Sequence, residues 1–293
     1  MKKQFFVIAI LSWIGFSACD FVKDAREKNP ISQGSGNTGD SVVLRKVLVE
    51  DYTGHKCGNC PAAALELKSI YEDYSGKVIP LAVHAGFFAY TNVVYPTDLQ
   101  SADGTLFDNT FGISAVGNPN GLVNRVGFGS ANFIQSYTSW RTGVDSMVNQ
   151  PAWFKIDISN SFNVSTGNLS ATIKVIPLKN ITGNYNLSVL ISEDSLIGEQ
   201  LDYSLPSGQQ LVPSYRFDHV LRGSVNGTWG EQIVNGVANL NDTISKTYSN
   251  FNLSTLVTNP SKCHVIAFVY DADNGSARRY EIFQAEDKKV TSP

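Results

Sequence analysis

The sequence predicts an α/β domain over residues 41–150 followed by an all-β, immunoglobulin-like sandwich over residues 151–293. Three observations carry this. An apolar run from Leu44 to Tyr52 is strand-like, and a second one, Lys77 to His84, follows a helix-like stretch from Pro61 to Tyr74. Residues Ala131 to Gln150 then carry Phe133, Ile134, Tyr137, Trp140, Val144, Met147 and Val148, the stripe of an amphipathic helix packed on a sheet. From Pro151 the pattern changes to alternation, as in Ile156 and Ile158, Leu169 to Val175, and Leu187 to Ile191. Short alternating runs separated by Gly and Asn turns read as a β-sandwich.

Residues 1–18 carry two lysines, an apolar run and small residues before Cys19, as a secretory signal does. Phe16-Ser17-Ala18-Cys19 resembles a lipobox, so Cys19 is expected to become a lipid-bearing N-terminus that holds the chain to a membrane. Residues 19–40 are polar and glycine-rich, a flexible tether. A chain of 293 residues has room for two domains with a core each. The net charge of −3 gives no basic footprint for nucleic acid. Gly86 to Ser101 reads as a loop insertion bearing Phe87, Phe88, Tyr90 and Tyr95.

The chemistry centres on Cys57-Gly58-Asn59-Cys60. Strand, turn, dithiol and helix occur in that order, which is the context of a thioredoxin-like redox motif. Two intervening residues let one turn bring the sulfurs within bridging reach, and the free N–H groups of a helix start stabilise a thiolate. Cys57, expected at the exposed helix start, would attack, and Cys60 would resolve the mixed disulfide. Asp51, six residues before Cys57, is a candidate proton acceptor for Cys60. Glu50 is its neighbour, so one of the two acids is expected to face outward. Lys56 would lower the Cys57 thiol pKa or meet substrate. Pro61 falls in the first helical turn, where a missing N–H costs least. Asn118-Pro119 suits a cis bond in a tight turn, with the Asn118 backbone open to a substrate strand. His84 ends the second strand, on the edge where open α/β sheets place their sites.

The remaining candidates are weaker. Cys263 starts an apolar strand and is expected to be buried and inert. Zinc held by Cys57, Cys60, Cys263 and His264 is disfavoured, because adjacent strand residues point to opposite faces. Haem attachment needs histidine after Cys60, where Pro61 stands. Asp271-Ala272-Asp273-Asn274-Gly275 lacks the spacing of a calcium loop and reads as a hairpin turn. No cofactor and no metal is expected. The expected partners are thiols or disulfides of envelope proteins and, through acylation, a lipid membrane.

Glu50 to Pro61 resembles the dithiol signature of the 28-kilodalton outer-membrane protein family of Bacteroidota, which are thioredoxin-like lipoproteins. Three further segments are similar: Ala82 to Gly86, Gly117-Asn118-Pro119 running into Asn124-Arg125, and Asp218 to Gly223 with Asn226 to Gly230. The resemblance implies a thioredoxin-like domain followed by a β-rich one, in the cell envelope at the outer membrane. Lys56 departs from it, standing where an aromatic residue often precedes the first cysteine. The competing expectation is a non-enzymatic surface lipoprotein, an adhesin or assembly component, in which the disulfide is structural.

Overall fold

Val47–Thr53 (β1) is buried along its whole length, because it is an interior strand covered on both faces. The computed structural model describes residues 42–127 and 133–292. The expected signal, tether and Cys19 lie outside the described residues. After β1 come α1 (Cys60–Asp73), β2 (Val78–His84), α2 (Ala102–Phe111), α3 (Ile113–Val116), β3 (Asn120–Val123), β4 (Gln135–Ser136) and α4 (Trp140–Met147). The rest is strand: β5 (Phe154–Asn163), β6 (Asn168–Pro177), β7 (Ile181–Glu193), β8 (Leu196–Leu201), β9 (Leu211–Phe217), β10 (Val220–Ser224), β11 (Glu231–Ala238), β12 (Ile244–Asn252), β13 (Cys263–Asp271) and β14 (Ile282–Lys289). The protein is thus mostly β-sheet with a few helices.

One large mixed sheet runs β14-β13-β7-β10-β2-β1-β3-β4, with β11 also on β7. Within it β1 and β2 are parallel, joined by α1, and β3 is antiparallel to β1. A second sheet, β12-β6-β5, lays Phe154, Ile158 and Ile173 against Val189, Val265 and Ala267 of the large sheet. That two-layer packing follows from the alternation seen in the sequence.

The expected boundary between residues 150 and 151 is crossed by both sheet and core. Beyond that boundary β10 pairs with β2, where Val220 lies opposite Ala82. Leu48, Tyr52, Leu81 and Phe107 share one core with Leu190, Leu221, Phe268 and Ile282. Val42–Pro293 accordingly forms one compact unit.

Alternation along β1 sends Val47, Val49 and Asp51 toward α1, and Leu48, Glu50 and Tyr52 the other way. The expectation that Glu50 or Asp51 faces outward is corrected here: they are 0% and 2% exposed. Glu50 is accommodated by Arg125, itself fully buried, through two hydrogen bonds of 2.8 Å. The Arg125 guanidinium lies 4.9 Å from the Phe107 ring centre and 5.1 Å from those of Phe111 and Phe268, a desolvated cation among ring faces.

The expected helix over residues 131–150 shortens to Trp140–Met147. Two cores divide the segment: Phe133 and Ile134 pack with Phe111 and Trp229, whereas Trp140, Val144 and Met147 pack with α1 and β1. Between them Asn120 and Gly121 draw Ser136 and Gln135 into a strand pair. Trp140 Nε1 donates to the Gln135 carbonyl across that junction.

Candidate functional site

Cys57 and Cys60 form a disulfide with Cα atoms 5.4 Å apart. Cys60 is the first residue of α1 and Pro61 follows, where no helical N–H is lost. The turn before them is held from two sides. Lys56 N–H donates to the Phe88 carbonyl at 3.0 Å, and a Cβ on Gly54 would collide with the Phe88 carbonyl group. From the other side comes the β8–β9 hairpin. Leu201 N–H donates to the His55 carbonyl and Tyr203 N–H to the Gly58 carbonyl, both at 2.8 Å, while Gln200 Nε2 donates to the Cys57 carbonyl at 3.1 Å. The Tyr203 ring lies over Gly58, where a Cβ would approach it to 2.5 Å. Both glycines are therefore required by close approach.

This strap corrects the expected exposure of Cys57, which is only 3% exposed, with Cys60 at 2%. The hairpin leaves the large sheet after Glu193 and returns at Val220, and those two residues pair with each other. Its feet are pinned reciprocally: Ser195 N–H donates to Asp218 and His219 N–H to Asp194, both at 2.8 Å. Ser195 and His219 hold φ of 64° and 59°, which aims the hairpin back over the dithiol.

Between α1 and β9 lies a cavity of about 440 Å³. Cys60 forms part of its wall and Asp51, Thr53 and His84 line it from β1 and β2. The parallel register sets Thr53 beside His84 and Asp51 beside Ala82, which puts these groups on one face. Asp51 Oδ1 and His84 Nδ1 have no hydrogen-bond partner. Burial pushes the Asp51 carboxyl up to about 7. Burial, with the charges of His55 and Arg222, pushes the His84 imidazole down to about 3. At neutral pH the cavity thus holds a carboxyl near its midpoint and an uncharged imidazole.

The structure therefore brings Asp51, His84 and Cys60 together around one cavity and places other candidates elsewhere. Lys56 Nζ stands 4.7 Å from the Phe87 ring centre and 5.8 Å from that of Tyr90, turned toward the aromatic loop. The Asn118-Pro119 bond is cis, at the start of β3, and neither residue lines the cavity. The Asn118 side-chain amide is buried and unpartnered. Cys263 is buried and unpaired, its thiol pushed up to about 12 by burial.

Sequence reasoning missed Gln200, Tyr203, Tyr215 and Phe217. Pro206-Ser207-Gly208 marks a hairpin tip, but nothing local to it names the surface it covers.

A Cys-x-x-Cys disulfide at a helix start, strapped by a hairpin and opening onto a cavity with a neutralisable acid, defines a dithiol protein built on a mixed sheet. The sequence model of the outer membrane protein Omp28 family matches residues 105–290. The chain belongs to this family of outer membrane proteins, and the dithiol lies before the matched residues. No curated protein matches the chain. Among solved structures it is similar to HBP35 of Porphyromonas gingivalis, with 17% identity, a TM-score of 0.62, and cover of 86% of this chain and 78% of that one. The likeness is one of fold. A domain of the outer membrane lipoprotein Omp28 from Porphyromonas gingivalis is 22% identical over 48% of this chain and 90% of that one, with a TM-score of 0.30.

Proposed function

We propose that this is a lipid-anchored envelope protein whose N-terminal part is thioredoxin-like and performs thiol–disulfide exchange through Cys57 and Cys60. The observation that carries the reading is the unpaired, buried Asp51 carboxyl in the same cavity as Cys60. A carboxyl near its midpoint at neutral pH can give a proton to a departing thiolate or take one from a thiol. A disulfide that serves only to staple a turn has no use for such a group. The rival reading, a structural disulfide in a binding protein, is favoured by the near-complete burial of both sulfurs. Equilibration of the full chain in glutathione redox buffers decides between them. A potential in the range of exchange proteins, with turnover of a model disulfide, supports exchange; a strongly negative potential without turnover supports the staple.

The cavity groups predict a pH signature. The folded pKa of Asp51 lies above its ordinary 3.8, so its stabilising contribution is complete below that pH and is lost as pH rises through about 7. His84 runs oppositely: its contribution is complete above 6.5 and is lost as pH falls toward about 3. Over the shared window the two slopes cancel. Asp51→Asn should unmask His84, so that stability rises with pH by up to ~1.4 kcal/mol per unit between about pH 4 and 6.5. His84→Gln should unmask Asp51 and reverse the sign. Denaturant midpoints across this range measure both, and slopes unchanged from wild type would contradict the assignment.

Anchoring is proposed to rest on acylated Cys19. Among the described residues no helix is long and apolar enough to cross a membrane. Cys19→Ser should release the protein from membranes or stall its processing, and labelled palmitate should enter wild type only. A variant that stays bound after a salt wash would reject the anchor.

A further inference from the structure

We propose that the Cys57–Cys60 disulfide exchanges with low-molecular-weight thiols that enter the cavity between α1 and β9 and attack the Cys60 sulfur. This rests on the exchange reading above and names its substrate class.

Access decides which sulfur is attacked. The turn carrying the disulfide has the Phe88 loop on one side and the strap on another. A cavity opens beside it, and Cys60, not Cys57, is in its wall. Its volume of about 440 Å³ is that of a small-molecule site. Leu65, Tyr215 and Phe217 supply apolar walls for a short carbon chain, and Asp51 and His84 supply polar partners at the floor. The charges near the mouth are internally paired: Lys68 with Glu72 at 3.8 Å, and Arg216 with Asp218 at 2.9 Å. Neither sign of ligand charge is strongly selected, which suits small thiols as a class.

The chemistry balances. The ionised thiol bonds to Cys60 Sγ, the Cys57–Cys60 bond breaks, and the electron pair leaves on Cys57 Sγ. A second thiol attacks the sulfur of the adduct, and the small disulfide departs with Cys60 as thiolate. The Asp51 acid protonates that thiolate; the protons lost by the two thiols return to Cys57 and Asp51. Two thiols are oxidised to one disulfide, and the protein disulfide becomes a dithiol. This order replaces the expected first role of Cys57.

The test uses the full chain and 2-mercaptoethanol, following loss of the disulfide by alkylation and mass. Ala64→Trp fills the cavity from the α1 wall, Ala62→Trp puts the same ring on the outer face of α1, and Tyr203→Ala loosens the strap. The expected result is at least a tenfold slower reduction in Ala64→Trp, with Ala62→Trp within twofold of wild type. In chains that keep one cysteine of the pair, hydroxyethyl disulfide should modify Cys60 in Cys57→Ala at least tenfold faster than Cys57 in Cys60→Ala. Faster reduction in Tyr203→Ala with Ala64→Trp unchanged, or faster modification of Cys57, would overturn the proposal. If Ala64→Trp blocks reduction while no disulfide substrate is ever turned over, the route stands and the exchange function fails. If turnover persists in Ala64→Trp at the wild-type rate, the function stands and the route fails.

Discussion

Cys60→Ser should reduce disulfide turnover to the uncatalysed background, and Cys57→Ser should lower it to the rate at which an external thiol releases the mixed disulfide, each leaving a folded protein. Exchange passes through a mixed disulfide on Cys60, so loss of Cys60 ends the cycle, whereas loss of Cys57 leaves only release by an external thiol. The structural cost is small by comparison. The bridge joins residues three apart, and closing so short a loop restricts the unfolded chain by only roughly 2 kcal/mol. Cys57 and Cys60 are buried, but serine at either place keeps the shape of the turn, whose hydrogen bonds to Phe88, Leu201 and Tyr203 are made by backbone groups. Turnover of a model disulfide and a denaturant midpoint, measured on the same samples, separate the two effects. A wild-type chain without turnover, whose serine variants lose only stability, would leave the disulfide a staple.

The second large effect is on folding. Glu50→Ala leaves the Arg125 guanidinium fully buried among Phe107, Phe111 and Phe268 with its counter-charge gone. Removing one partner of such a pair costs about 3–5 kcal/mol. A double change, Glu50→Leu with Arg125→Met, removes both charges at similar volume and should recover most of that loss. Urea midpoints for the two singles and the double test the coupling. If the single and double variants are equally unstable, the pair is dispensable and the packing around it governs.

Much of the site was legible because its signals are local. The spacing of Cys57 and Cys60 and the helix that starts at Cys60 are carried by neighbouring residues, as is the cis bond before Pro119. Asp51 and His84 could be placed near the dithiol from strand ends alone. What stayed hidden is non-local. Glu50 looks like a solvent-facing acid until Arg125, 75 residues later, turns out to sit against it. Tyr203 covers Gly58 from a hairpin whose own sequence is ordinary. The change to alternation at Pro151 is real, yet it marks a change of element type and not a gap in the sheet, since periodicity reports which faces are buried and not which strand lies alongside.

The residues that lead into the first strand are held by those at the start of the last. Arg45 meets Glu281 and Lys46 N–H donates to Gln284, contacts spanning 236 and 238 residues. Contacts so distant in sequence form late, because the entropy of closing the intervening chain is lost before they can repay it. The two sulfurs are bound by no such delay, being three residues apart. They can be oxidised on a chain whose final strand is still unplaced, when neither strap nor cavity yet exists. An oxidant acting at that stage meets the pair unguarded, whereas in the finished fold both sulfurs lie buried beneath the strap.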